Sequence, residues 1–506
     1  MNDLAIVTEK APPASTAPVR SAHVSLPADA AIRWEASYRA FIAVIDAWFL
    51  SHDVDSDDQT ELLLLAEQEI INQSMRLVYR GMSSVADDDR RLHYLRRVPH
   101  AVPPWMQLSR FIRSSLGLRA SYVPRTLFRP ERDICTFHQC AVSIAYARER
   151  GVKPRLMSAG EWFPAPQPGD DASFQGLTPE ILDLLGSAYS AACAAADIPS
   201  SDTAAALDTF QNFARRIEFW RAALQVHRKK LPREFWTSTM GYPLHRVLAR
   251  AVRRDQGKVV GFDHGSGSGM WISDFQTRIE LGFVDRFITF GSAMAEGLRQ
   301  NMALVGVRYS MPEIQPLKVV RSLPASAAAE RGPVRKVVYV AASYSGDKFM
   351  SPPLYDNNRM IEWQRLLLSE LKALGLEVAI KPHPESLGGP AKQFERDLGV
   401  KIVPGRFEDA SWHDVAFVFD SPESSAFPQA MATGAPIVVF DLPRLKIRPE
   451  ARRLLSRRVV FVPAWFDSAE RLQTDWATLP DAIDRARALN DNEVIRRYFG
   501  IEEVSA

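Results

Sequence analysis

The chain has 506 residues, 46% of them hydrophobic and 24% charged, with 62 basic against 60 acidic side chains and a net charge of +2. That length exceeds one ordinary core and calls for two or three domains. The near balance of charge excludes a chain-wide nucleic-acid surface, so any anion site has to be local.

Residues 1–31, rich in Ala, Pro, Ser and Thr and without periodicity, read as a disordered tail. No basic stretch followed by an apolar one marks a signal peptide there. The run AFIAVIDAWFL at 40–50 is too short to span a bilayer and contains Asp46. From 32 to 130 the pattern is helical, with apolar residues at three- and four-residue spacing over Arg33 to Leu50 and Thr60 to Tyr79. The basic runs RRLHYLRR (90–97) and RFIRSSLGLR (110–119) read first as an amphipathic helix with a solvated basic face, and as the alternative fit peripheral contact with a membrane or a partner protein.

A strand–helix rhythm starts near Arg132. ICTFH (134–138) reads as a strand, QCAVSIAYARER as a helix stopped at Gly151, and KPRLMSA (153–159) as a second strand. Cys135, His138 and Cys140 lie close together, but no fourth ligand is evident, so no metal site is expected. The 3 cysteines, Cys193 included, cannot form a disulfide framework and suit a reducing, cytoplasmic setting. Helices follow at 178–196, 203–228 and 244–257; KVVGFDHG is a strand breaking into a glycine-rich loop, and VDRFITFG (284–291) another strand. This first lobe covers 131–325, and ASAAAERGP resembles a linker. The second lobe, 333–490, alternates KVVYVAAS, a helix at 358–375, LEVAIKPHPE, GVKIVPG, HDVAFVFD, a helix at 424–434 and APIVVFD. Residues 491–506 form a C-terminal tail in this scheme. The fold class is therefore α/β: two Rossmann-like lobes with parallel sheets, preceded by a helical N-terminal region.

In such sheets ligands bind beyond the carboxyl ends of the strands. Three segments there carry unusual polar residues. GFDHGSGSGM (261–270) has glycines, Gly265 and Gly267 among them, that let backbone N–H groups approach an anion, and His264 could act as base or cation. KPHPE (381–385) holds His383 between two prolines that stiffen the backbone, beside Lys381. DSPESSAFPQAMATGAP (420–436) places Ser424 or Ser425 as a helix N-cap, Pro428 in the first turn, and Ser421 and Glu423 nearby.

The HG loop, the later HP, the Ser-Ser helix start and G-x-P together resemble the GT-B-fold enzymes of bacterial surface-polysaccharide synthesis. These include CDP-glycerol glycerophosphotransferases and the CMP-sugar polysialyl- and capsule-type transferases. The resemblance spans roughly 235–445. It implies that His264 is the base, His383 binds the donor phosphate, and Ser421, Glu423, Ser424 and Ser425 hold the nucleotide. This loop reads DHGSGSG where the teichoic-acid pattern is HGTP, which leaves Asp263 and Glu280 as alternative bases. The implied activity is metal-independent transfer of a sugar, with CMP-linked acidic sugars favoured, to a glycan, lipid-linked or protein acceptor. The nucleotide-sugar is a substrate, and no cofactor is expected. A nucleotide-sugar epimerase on the same fold and a non-catalytic nucleotide-binding assembly protein are the alternatives.

Overall fold

The computed structural model describes residues 30–82, 131–157, 162–163, 169–226, 231–264, 267–305, 311–317, 319–320, 333–341, 357–383, 389–405, 407, 410, 412–422, 424–442, 446–467 and 471–502. Among these residues no helix is long and apolar enough to cross a membrane. The expected tail up to residue 29, the two basic runs and the linker up to residue 332 lie outside them, while residues 30 and 31 of that tail already belong to the first helix.

Two helices come first, α1 (Ala30–Ser51) and α2 (Asp58–Met82). α1 buries Tyr38, Phe41, Ile42, Ile45 and Phe49, a stripe at helical spacing. The first lobe then runs β1 (Glu131–Thr136), α3 (Ala141–Glu149), β2 (Pro154–Leu156), α4 (Pro179–Ala195), α5 (Thr203–Val226), β3 (Glu234–Thr237), α6 (Pro243–Arg254), β4 (Lys258–Phe262), α7 (Phe275–Leu281), β5 (Arg286–Thr289), α8 (Ser292–Met302) and β6 (Glu313–Pro316). Its six strands are all parallel, in the order β2-β1-β3-β4-β5-β6. Alternate residues serve opposite faces. Cys135, Phe235, Val259 and Phe287 join one core, while Ile134, Trp236, Val260 and Ile288 join another. α1 packs on α4 and α2 on α5, and their apolar residues share the first of those cores. The N-terminal helices are thus continuous with the first lobe.

A short strand, β7 (Val319–Val320), follows β6, and the second lobe comprises β8 (Lys336–Val340), α9 (Asn357–Ala373), β9 (Glu377–Lys381), α10 (Gly389–Leu398), β10 (Lys401–Ile402), β11 (Val415–Phe419), α11 (Ala426–Ala432), β12 (Ile437–Asp441), α12 (Pro449–Leu455), β13 (Val460–Phe466), β14 (Leu472–Thr474) and α13 (Leu479–Ala488). The order is β10-β9-β8-β11-β12-β13-β14, parallel except for β14. The segment read as a C-terminal tail instead holds α14 (Glu493–Phe499) and β15 (Ile501–Glu502). Val494, Ile495, Tyr498 and Phe499 are buried, α14 packs on α8 of the first lobe, and β15 pairs with β7. An amphipathic seven-residue helix is too short for its period to stand out in the sequence, which is why it was legible only as a tail.

Both sheets wind outward from a first strand and then restart on its other side, so each has a switch point: β1/β3 in the first lobe and β8/β11 in the second. Loops from the two carboxyl edges meet. After β4, Ile272 N donates to Lys446 O at 2.9 Å, Arg448 N donates to Met270 O at 2.9 Å, and Trp271 bridges Ile447. Arg448 reaches on to α8, donating to Gln300 Oε1 at 2.5 Å, Gly297 O at 2.9 Å and Asn301 Oδ1. The two edges therefore face a common interlobe space.

Gly297 on α8 lies so close to Gly269 that a Cβ on either would fall nearer than 3.0 Å to backbone of the facing segment. Helix propensity alone favours Ala over Gly at 297 by about 1 kcal/mol. The close approach reverses that sign: Gly297→Ala should destabilise the protein by about 1–3 kcal/mol in urea or thermal unfolding. A variant as stable as the parent, or more so, would contradict the packing described.

Candidate active site

The first sheet's carboxyl edge gathers the ionisable groups. β4 exits into Asp263 and His264. The Asp263 carboxylate is buried and accepts from Thr289 Oγ1 at 2.8 Å, while His264 is exposed. Glu280 rides on α7 and turns back to the exit of β3, where Oε1 accepts from Thr239 Oγ1 at 3.0 Å and Oε2 from Met240 N at 3.0 Å. Loss of water pushes the Glu280 carboxyl up; the His264 charge and the two hydrogen bonds pull it back, and Asp263 adds to the rise. The three candidate bases thus fall within one electrostatic neighbourhood, although 16 residues separate His264 from Glu280 in the chain (280 − 264).

Two supports for this cluster come from the N-terminal helices. Arg278, on the same helix as Glu280, forms a two-pronged ion pair with Asp46 of α1, at 2.9 and 2.6 Å. Arg246 on α6, only 1% exposed, donates to Leu65 O at 3.1 Å and to Gln68 and Glu69 of α2, and to Met240 O at 2.9 Å. Burial pushes the Glu69 carboxyl up against the pull of Arg246. Glu61 of α2, equally buried, takes Arg250 at 2.5 Å and Arg221 and Arg254 at 3.0 Å each. Removing one partner of such a buried pair strands the other's charge.

Sequence reasoning missed a second group at the β1/β3 switch point. His138 leaves β1 and is exposed; His245, on α6, is buried, and the two rings lie 5.5 Å apart. His245 Nδ1 lies 2.6 Å from Thr239 O, and since a carbonyl only accepts, Nδ1 carries the proton. Around the ring stand Phe137 at 5.0 Å, Tyr242 at 5.3 Å and Phe235 at 6.3 Å. The signal was obscured because LHRVLARAVRR reads as an amphipathic helix with His245 on its buried face. Of the three residues weighed as a zinc set, Cys135 is buried in the core and Cys140 caps α3. Among the described residues no three His, Cys, Asp or Glu are grouped to hold a metal ion.

On the second sheet's edge, His383 is half-buried two residues beyond β9, and Ser421 is buried two residues beyond β11. Lys381 turns its ammonium onto Val403 O at 3.4 Å and onto Gly405 O, so it ties β9 to the loop after β10. Asp420, beside Ser421, accepts from Tyr339 OH at 2.6 Å and Gln364 Nε2 at 3.2 Å. Ser424 Oγ accepts from Ala426 N at 3.2 Å and Ser425 is the exposed N-cap residue of α11, which has only 7 residues. Gly267 needs its left-handed φ of 68°, and Gly269 N donates to Met294 Sδ at 3.0 Å. Gly269 thus serves packing against α8, where the sequence suggested ligand approach. Gly265 and Glu423 lie outside the described residues.

No protein-family model and no curated protein matches this sequence. Among solved structures it is similar to a chain in the crystal structure of the GtfA/B complex, at 14% identity over 56% of this chain, with a TM-score of 0.34. The match spans 58% of that chain's length. A likeness this loose bears on neither the fold nor the chemistry, which rest on the geometry above.

Burial pushes the His245 imidazole down from 6.5 to about 4; its bond to Thr239 opposes this, and His138 and Arg246 add repulsion. The unfolded chain therefore takes up this proton first as pH falls. The stability associated with neutral His245 is complete above pH 6.5 and is lost on the way down to about pH 4, a change of roughly 3 kcal/mol. Thermal melts across that range should show the loss in the parent protein and a flatter limb in His245→Asn. Equal slopes would contradict the assignment.

Proposed function

We propose that the chain is a nucleotide-sugar-dependent glycosyltransferase of GT-B type, acting without a metal ion. The donor class we favour is a CMP-linked acidic sugar, and the acceptor a glycan, a lipid-linked saccharide or a protein. The observation that carries this is the meeting of two carboxyl sheet edges, one bearing His264 with Glu280 within reach of its charge and the other His383 and Ser421. The resemblance of the HG, HP and Ser-Ser motifs to surface-polysaccharide transferases supports the same reading.

In this mechanism the exposed His264 takes the proton of the acceptor hydroxyl as its oxygen bonds to the anomeric carbon. Glu280, fixed by Thr239 and Met240, stabilises the imidazolium that forms. The bond from the anomeric carbon to the phosphate oxygen breaks, and that oxygen leaves with the electron pair. Its growing charge is met by His383 and the serines at 421, 424 and 425. Asp263, buried against Thr289, serves to hold the β4 exit. The protein acts in the cytoplasm or at the inner face of the membrane.

A thermal-shift panel with CMP, CDP, UDP and GDP should single out the cytidine nucleotides, since a ligand stabilises the folded state by mass action. With CMP-N-acetylneuraminate, CDP-glycerol, UDP-glucose and GDP-mannose as donors, His264→Ala and Glu280→Gln should each lower turnover by about 10²–10⁴-fold. His383→Ala should weaken donor use. Unchanged rates in all three variants would refute the transferase assignment, and an isomerised sugar from donor alone would point to an epimerase.

A further inference from the structure

We propose that His245 is a positioning residue for Glu280: by donating to the Thr239 carbonyl it presents that residue's hydroxyl and the next residue's amide to the two carboxylate oxygens. The inference rests on the proposed role of Glu280, and the bonds that support it form an unbroken chain. His245 Nδ1 donates to Thr239 O at 2.6 Å, Thr239 Oγ1 donates to Glu280 Oε1 at 3.0 Å, and Met240 N donates to Oε2 at 3.0 Å. The turn between them is locked from within. Thr237 Oγ1 donates to Thr239 O at 2.6 Å and accepts from Thr239 N at 3.2 Å, and Gly241 N donates to Thr239 Oγ1 at 3.0 Å. Thr237 ends β3 and His245 sits on the first turn of α6, so the turn is pinned to two regular elements at once.

Three features separate this from an ordinary satisfied core histidine. The turn lies at the β1/β3 switch point, where an open parallel sheet offers its crevice. Its two free valences are both aimed at one carboxylate that comes from a distant helix, 41 and 40 residues away. The ring also lies 5.5 Å from that of the exposed His138, so the buried histidine sits one ring below the surface of that crevice. Burial keeps His245 neutral, with His138 and Arg246 as the charges that face it, while Glu280 answers to His264 and Asp263.

The test uses the full-length protein with ¹³C-labelled glutamate, the Glu280 carboxyl resonance being assigned by its loss in Glu280→Gln. In His245→Phe, which keeps the ring and removes the donor, the Glu280 titration should move upward by about half a unit, because the hydrogen bonds that favour the carboxylate loosen. Turnover of CMP-N-acetylneuraminate should fall on the order of ten- to a hundredfold in kcat with the donor KM unchanged. His245→Asn, whose amide can take the place of Nδ1–H, should restore both. Thr239→Val, which deletes the hydroxyl without touching the imidazole, should reproduce the His245→Phe shift and guards against misfolding of that variant. A Glu280 titration left at its parental position in His245→Phe and Thr239→Val overturns the proposal. If the parent protein turns over no nucleotide-sugar, the reading of function fails by itself, and the carboxyl titration still decides the positioning role.

Discussion

The contact on which the arrangement depends is the approach of two glycines, Gly269 in the loop after β4 and Gly297 on α8. Only hydrogen at both positions lets the loop lie against the helix backbone. With the loop seated there, Met270 O and Ile272 N point outward to bond the 446–448 segment of the second lobe, and Asn301 Nδ2 holds Ser268 O at 3.1 Å and Trp271 O at 2.8 Å. Arg448 then reads the same helix, through Gly297 O and Gln300. A side chain at 269 or 297 would lift the loop, and the lobe-to-lobe strand bridge would lose its partner. The sheet edges face each other because a loop rich in glycine packs on a helix, beside a core that apolar residues of both lobes share.

A second layer of constraint comes from the N-terminal helices. Their acidic residues, Glu61 buried and the others half-buried, meet arginines of α5, α6 and α7: Glu61 with Arg221, Arg250 and Arg254, Glu69 with Arg246, Asp46 with Arg278. Buried ion pairs add little net stability compared with a well-packed apolar contact, but they tolerate only one geometry, because a displaced partner leaves a charge without water or counter-ion. The elements so fixed are the ones that carry the candidate site. Arg278 shares α7 with Glu280, and Arg246 fixes Met240, whose amide bonds Glu280. Whatever the segment between α2 and β1 contacts, the two helices that precede it act as a brace for the carboxylate.

Much of this was legible in the sequence where the physics is local. KVVYV, VAFVF and IVVFD are unbroken apolar runs ended by polar residues, and strands covered on both faces need that composition. Long helices such as those at 179–195 and 203–226 declare their period. β3, with four residues EFWT, β6, reading EIQP, and α7, a seven-residue helix, were missed because each is shorter than the window in which a period can be seen. The site followed the same rule. His264 and His383 stood out as polar residues directly after apolar strands. His245 did not, because its meaning lies in a hydrogen bond to a turn that, in sequence, looks like any other stretch of Ser, Thr and Gly. Lys381 was visible for its charge, yet its carbonyl partners, 22 and 24 residues away, belong to another strand's exit.

Topology also explains why a carboxylate on α7 matters more than its place in the chain suggests. The crevice of the first sheet opens between β1 and β3, and His264 leaves from β4, one strand further along. A side chain at that exit reaches the crevice only if something from the β3 side meets it. Glu280 does so from the turn after β3, where Thr239 and Met240 bond its carboxylate and the charge of His264 is felt. Holding a partly desolvated carboxylate in that position requires donors that do not move, and here they are one backbone amide and one hydroxyl from a turn locked at both ends. A side-chain donor on a flexible stem could supply the same charge compensation but not the same direction. In the proposed mechanism that direction is what would let a single carboxylate act on a histidine one strand away from the switch point.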